Sequence, residues 1–405
     1  MSKGPLAGIR VADFTWIGAG SYTTKLLSDF GADVIKVETA THMDTVRSTG
    51  PFKGGIKGTN RSGYFADRNT SKRGITLNLK HPRGKEVARR LVAQSDIVAN
   101  NFRPGVMEKL GFGYEQVAAV RPDIIYLSMS MQGSEGPQAD YIGFGLTIGA
   151  LTGLNHLCGP RNRPPAGTST NFPDHVPNPS HGAFALLAAF HYRQRTGRGQ
   201  YIDFAQTEPM IGLLATAIVD CTANNHIVER TGNAHLSAVP HGVYPCKGED
   251  RWVTISVYDD AQWRKLFSAL KPNGNDEIPW LSLTSRQAAR SEIDAWIASR
   301  TRLLNPFELM HQLQRIGVIC GVVQNARDLI DYDPQLAHRK HWQFLNHPEM
   351  GRTLYNGLPV QLSRTPGKLS RPAPLLGQHT EEVCLDVLGL SPAEYESLKA
   401  DRVFE

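Results

Sequence analysis

Asp174 stands in the segment Gly167-Thr168-Ser169-Thr170-Asn171-Phe172-Pro173-Asp174-His175, just ahead of a long apolar helical run. That helix has a start signal of its own, since Asn178 suits the N-cap and Pro179 the first turn. The carboxylate four residues earlier is not needed for that duty. A carboxylate so placed, without an evident structural duty, is a candidate nucleophile. Taken alone, the position equally describes a solvated loop aspartate, the commoner role of loop carboxylates. The surrounding sequence has to decide.

Two segments offer donors to an anion. Asn101-Phe102-Arg103-Pro104-Gly105 follows the buried strand Ile97 to Asn100, and in an open α/β sheet ligands gather beyond the carboxyl ends of strands. Arg68-Asn69-Thr70-Ser71-Lys72-Arg73 precedes a strand at Ile75 to Leu79. Together they could grip the phosphates of a large anionic cofactor through charge-assisted hydrogen bonds. Singly, each also reads as a basic loop in solvent. Gly18-Ala19-Gly20, with Glu38 downstream, imitates a dinucleotide fingerprint, but Thr23 occupies the place of the third glycine. The helix amino end there could still face a phosphate or an adenine ring. No Walker loop, G-x-S-x-G elbow or H-E-x-x-H occurs.

The elements that position these residues alternate. Gly8 to Phe14 reads as a buried strand, Ser21 to Phe30 as a helix closed by Gly31, and Val34 to Glu38 as a second strand. A helix at Gly84 to Gln94, a strand at Ile124 to Ser128, a helix at Pro179 to Arg195 and a strand at Gln200 to Phe204 continue the pattern. The fold class is therefore α/β, with a mostly parallel sheet and helices on its faces. Beyond about residue 220, strands at His241 to Tyr244 and Trp252 to Val257 and amphipathic helices at Gln262 to Leu270 and Arg286 to Ser299 predict a smaller α+β unit. The expected division is 1–222 large domain, 223–330 small domain, and 331–405 an extended Pro- and Gly-rich linker returning to the large domain through a last helix near Thr380.

The 405 residues carry 40% hydrophobic and 20% charged side chains, ordinary for a globular protein, and are too many for one simple core. No apolar run approaches a membrane span, and no signal peptide is read, so a cytoplasmic location is expected. Five scattered cysteines support neither a disulfide framework nor a zinc site. The net charge of +6 is spread out, without a nucleic-acid-binding pattern. A polyanionic small molecule accounts for it as well as nucleic acid would.

Asp33-Val34-Ile35-Lys36-Val37-Glu38, Asn69-Thr70-Ser71-Lys72-Arg73, Asn101-Phe102-Arg103-Pro104-Gly105, Arg195-Thr196-Gly197-Arg198-Gly199-Gln200 and Pro374-Leu375-Leu376-Gly377-Gln378-His379-Thr380-Glu381-Glu382-Val383 follow one another in fixed order. In this the whole chain resembles the family III CoA-transferases, the formyl-CoA and carnitine CoA-transferase family. The resemblance implies a Rossmann-like large domain built from both chain ends, an inserted small domain, and two subunits interlocked like chain links, as a homodimer or as a heteromer with a related subunit. It places the catalytic aspartate at Asp174. It places CoA contacts at Ile17, Gly18, Arg47, Asn69, Lys72, Asn101, Phe102 and Arg103, and at Lys109, where some relatives carry an arginine. CoA thioester and carboxylic acid would be co-substrates, with no prosthetic group, no metal, no nucleic acid and no membrane. The implied chemistry is acyl transfer through mixed anhydrides and an aspartyl-CoA thioester.

Three rivals stand beside this reading. An acyl-CoA racemase of the same fold would need a histidine after the strand at Ile124 to Ser128, and Met131 to Ala150 contains none. A non-catalytic partner subunit would lack the aspartate that Asp174 supplies. A nucleotide- or nucleic-acid-binding module would purify with RNA. The glycine-rich lid of the formyl-CoA branch is absent around Gly232 to His235 and Ala238 to Gly242, which argues against formyl or oxalate substrates. Trp16 to Lys25 and Phe172 to His175 look like the benzylsuccinate branch, with succinyl-CoA as donor. Carnitine-type or other dicarboxylate acceptors stay open. His175 and His181 are conceivable carboxylate contacts, though structural roles are commoner for such histidines.

Overall fold

Runs such as Val11-Ala12 and Val34-Ile35 are apolar on both faces of an extended chain, which suits strands covered by helices on both sides. The computed structural model, which describes residues 4–271 and 277–405, places them at the centre of a six-stranded parallel sheet. Its strands are β1 (Arg10–Asp13), β2 (Asp33–Glu38), β3 (Arg73–Thr76), β4 (Ile97–Asn100), β5 (Ile125–Ser130) and β6 (Gln200–Ala205), in the order β3-β2-β1-β4-β5-β6. Val11 pairs with Val34 on one side and Ile97 on the other. The chain reverses its direction of progress between β1 and β4, and the crevice outside the carboxyl ends of those two strands is where such sheets bind ligands.

Helices cover both faces. They are α1 (Ala19–Asp29), α2 (Gly63–Arg68), α3 (Pro82–Ala93), α4 (Val106–Leu110), α5 (Tyr114–Ala118), α6 (Gly145–Leu151), α7 (Leu154–Leu157), α8 (Phe172–His175) and α9 (Pro177–Thr196). One core joins Ile35, Val98 and Tyr126 to α3 and to the C-terminal helix Pro392–Ala400. The other joins Val11, Ile97 and Leu127 to Leu27 of α1 and Leu186 of α9. Leu186 is fully buried, and truncating such a side chain to alanine costs about 2–5 kcal/mol.

The chain clusters into two units. The first comprises the segments up to Asn155, Gly167–Ile227 and Gln335–Glu405. The second comprises His156–Ala166 and Val228–Pro334. The second contains a three-stranded antiparallel sheet of β7 (His241–Pro245), β8 (Trp252–Ser256) and β9 (Ile319–Val322), packed on Trp263, Ile293 and Leu313.

Several expectations need correction. The helix expected at Pro179 begins at Pro177, so Asn178 lies inside its first turn and Val176 holds the cap position. The single helix expected over Arg286 to Ser299 is two, Leu283–Ala288 and Arg290–Thr301, broken at Ala289. The stretch read as irregular beyond Asp331 holds an antiparallel hairpin, Trp342–His347 with Gly351–Asn356. Pro348 and Gly351, which suggested a linker, sit at its turn, where a missing N–H and a left-handed residue cost nothing. Among the described residues no helix is long and apolar enough to cross a membrane.

Candidate active site

The crevice between the ends of β1 and β4 is a cavity of about 210 Å³. Asp174, Ile17, Gly18, Asn101, Phe102, Arg103 and Gln206 line it, with Tyr141, Ile142 and Phe144 on a further wall. Among the described residues, Asp174 is its only lining carboxylate and no histidine lines it. That composition lacks the imidazole partner a racemase would use.

Asp174 reaches the cavity from the single turn α8, where its backbone N–H bonds the Asn171 carbonyl at 2.9 Å. It is 4% exposed. Two glycines make room for it. A methyl group at Gly18 would come within 2.7 Å of Asp174 Cβ, and one at Gly145 within 2.9 Å of Asp174 Oδ2. Gly145 also donates its backbone N–H to the carboxylate. Burial pushes the carboxyl up to about 6, against the pull of that N–H and of the Arg68 charge. The group is thus ionised at neutral pH yet poorly solvated, which raises its reactivity toward an acyl carbon.

Asn101 and Phe102 follow β4 as expected. Asn101 accepts from the Trp16 N–H at 2.7 Å and donates to the Trp16 carbonyl at 2.8 Å. Phe102 packs edge-on to Trp16 at 5.5 Å and also lines a second, apolar cavity of about 610 Å³, together with Trp16, His42 and Leu79. Arg103 is exposed at the mouth, with no ion-pair partner among the described residues. Lys109 is exposed on α4, whose Val106 and Leu110 line the second cavity.

Arg47, Asn69 and Lys72 are not on either lining, and all three are fully buried. Arg47 grips Glu38 at 2.7 and 2.8 Å and stacks on Phe65. That contact also occupies the acidic residue that had imitated a ribose ligand. Asn69 donates to the Phe65 carbonyl and accepts from Lys72. The Lys72 ammonium bonds Asp13, the Ser21 carbonyl, Thr24 and Asn69, which leaves it no donor for a phosphate. These three side chains hold the sheet ends together. Their polar groups are turned to protein partners here, and contact with CoA stays what the resemblance implies.

His175 sits against the Arg68 guanidinium, and burial followed by that charge lowers it to about 4, so it is neutral. His181 bonds the Pro177 carbonyl one helical turn back, at 2.8 Å. Neither lines either cavity. The sequence did not point to Gly145, Gln206 or Ser130, nor to the wall from Ala139 to Phe144. A glycine pair at Gly143 and Gly145 was the one available signal.

Residues 6–380 match the family model for CoA-transferase family III. A probable CoA-transferase of Mycobacterium tuberculosis is 34% identical over 98% of this chain, which spans 50% of that relative's length. The succinyl-CoA–D-citramalate CoA-transferase of Chloroflexus aurantiacus is 32% identical over 98% of both chains. A CAIB/BAIF family protein from Brucella suis superposes with a TM-score of 0.86, at 30% identity, covering 95% of this chain and 100% of that one. The chain therefore belongs to CoA-transferase family III and is an enzyme of CoA transfer.

Proposed function

We propose that the protein moves CoA from succinyl-CoA to a second carboxylic acid through a thioester on Asp174. The observation that carries this reading is the buried Asp174 carboxylate, wedged between Gly18 and Gly145 and facing the crevice. In the first step a carboxylate oxygen of Asp174 attacks the thioester carbonyl, forming a mixed anhydride and expelling CoA thiolate. The thiolate attacks the aspartyl carbonyl, releasing the donor acid as its carboxylate and leaving aspartyl-CoA thioester. The acceptor carboxylate then attacks that thioester, and the returning thiolate takes the acyl group from the new anhydride. Asp174 is regenerated, and no proton or electron is consumed. Burial of Asp174, 4% exposed, would limit the access of water to either intermediate.

CoA would enter past Arg103, as the unpaired guanidinium suits its phosphates. The apolar cavity reached through Phe102 would take the nucleotide end, and Lys109 would supply a charge at its rim. Ile17, Gly18 and Asn101 would meet the pantetheine arm. Succinyl-CoA as donor is supported by the name of the Chloroflexus relative. The acceptor is a small dicarboxylic acid, with benzylsuccinate the specific candidate because Tyr141, Ile142 and Phe144 provide an apolar wall. Two copies would interlock, or pair with a related subunit, across apolar surface such as Phe184 and Leu187 of α9, which are 72% and 44% exposed.

Asp174→Asn should lower transfer from succinyl-CoA about 10⁴-fold or more while CoA still binds. Wild-type turnover by that variant refutes the mechanism. A screen of free acids against succinyl-CoA, followed by thioester formation, tests the acceptor.

A further inference from the structure

Between β1 and α1, three consecutive residues have their backbone groups taken in turn by side chains from four different places. Asp13 accepts from the Thr15 N–H at 3.0 Å, and Lys36 donates to the Thr15 carbonyl at 2.5 Å. Asn101 holds both the N–H and the carbonyl of Trp16. Asp44 accepts from the Ile17 N–H at 3.0 Å. Asp13, Lys36 and Asp44 are fully buried, and Lys36 Nζ lies 3.0 Å from Asp44 Oδ2. None of these three lines the catalytic cavity.

An ordinary strand-to-helix connection needs no buried charges, whose desolvation is costly even when paired. This one also forces Ile17 to φ +61°, a left-handed conformation that a β-branched residue adopts only where its surroundings impose it. The next residue is Gly18, which abuts the Asp174 side chain so closely that not even a methyl group fits. Any slack at Ile17 is therefore passed to the wall against which the nucleophile is aimed. Asp44 also caps the short turn Thr45–Ser48, accepting from the Val46 N–H at 3.2 Å. Capping alone would call for neither Lys36 nor the bond to Ile17.

We propose that Asp44, anchored by Lys36, is a positioning residue for CoA transfer: it locks Ile17 in its left-handed turn and so fixes the Gly18 backbone against Asp174. This rests on the reading of Asp174 as nucleophile. Asp44→Ala should lower kcat about 100-fold, the usual cost of a displacement near 1 Å. Its KM for succinyl-CoA should change by less than about tenfold, because Ile17 and Gly18 shift while Arg103 and the cavity beside Phe102 do not. Asp44→Asn keeps an acceptor for the Ile17 N–H and should recover kcat to within about tenfold.

An Asp44→Ala enzyme with kcat within about twofold of wild type overturns the proposal. So does an Asn variant that falls as far as the Ala variant, since that pattern marks a merely structural charge. Should Asp44→Ala not fold, Lys36→Met, which frees both the Thr15 carbonyl and Asp44, must show a similar fall in kcat with a smaller change in KM, and an unchanged kcat overturns the proposal. Asp174→Asn, assayed alongside, separates the two claims. If it turns over normally the nucleophile assignment fails, whereas if it is dead and Asp44→Ala is fully active only the positioning role fails.

Discussion

Asp13 and Asp174 are both buried carboxylates near the end of β1, and their surroundings treat them in opposite ways. Burial pushes each upward. At Asp13, Lys72 and Lys36 overcome that push and hold the carboxyl below its usual range. At Asp174 only the Gly145 N–H and the charge of Arg68 oppose it, and the carboxyl rests at about 6. Arg68 is itself paired with Asp67. Partner saturation therefore separates scaffold from chemistry here: the paired carboxylate organises the loop, and the underpaired one faces the cavity.

Breaking the saturated side should have the larger effect on stability. Lys72→Met removes the ammonium that is hydrogen-bonded to the buried Asp13, leaving only the charge of Lys36 nearby, and should cost about 3–5 kcal/mol in denaturant unfolding. A loss below about 1 kcal/mol would mean that Asp13 is not held as described. On the other side the sign reverses. The folded-state value of Asp174 is raised, so its contribution to stability is full below about 3.8 and is lost as pH rises through about 6. Asp174→Asn should accordingly stabilise the fold by on the order of 2–3 kcal/mol at pH 8, with the gain vanishing near pH 4. Thermal melts at the two pH values check this, and a variant less stable at pH 8 would contradict it.

Smaller effects concern ligand binding and pH. Arg103→Ala should raise KM for the acyl-CoA roughly 10–100-fold with kcat nearly unchanged, the worth of a charge-assisted contact of about 1.5–3 kcal/mol. Because the nucleophile must be ionised, the rate should fall on the acid side of about pH 6. An acid limb near pH 4 would indicate a solvated, unperturbed aspartate.

The sheet was legible in the sequence because its strands are short apolar runs set between glycines and amphipathic helices. β4 falls on Ile97–Asn100 as read, and β1 and β2 lie within the expected segments to a residue or two at each end. The hairpin Trp342–His347 with Gly351–Asn356 was not legible, since neither strand alternates cleanly and its turn residues imitate a linker. In the crevice, Asp174, Asn101, Phe102, Arg103, Ile17 and Gly18 line one cavity. Arg47, Asn69 and Lys72 are drawn inward instead, by Glu38, the Phe65 carbonyl and Asp13. Composition marks a basic side chain but not its partner. Gly145 was missed for a related reason: its value lies in the space it leaves for a residue far away in the chain.

The most direct test is to mix the enzyme with isotopically labelled succinyl-CoA, trap the intermediate with hydroxylamine or borohydride, and map the modified peptide by mass spectrometry. The account predicts modification at Asp174 alone. Label on another residue, or an active enzyme that never acquires any, would contradict it.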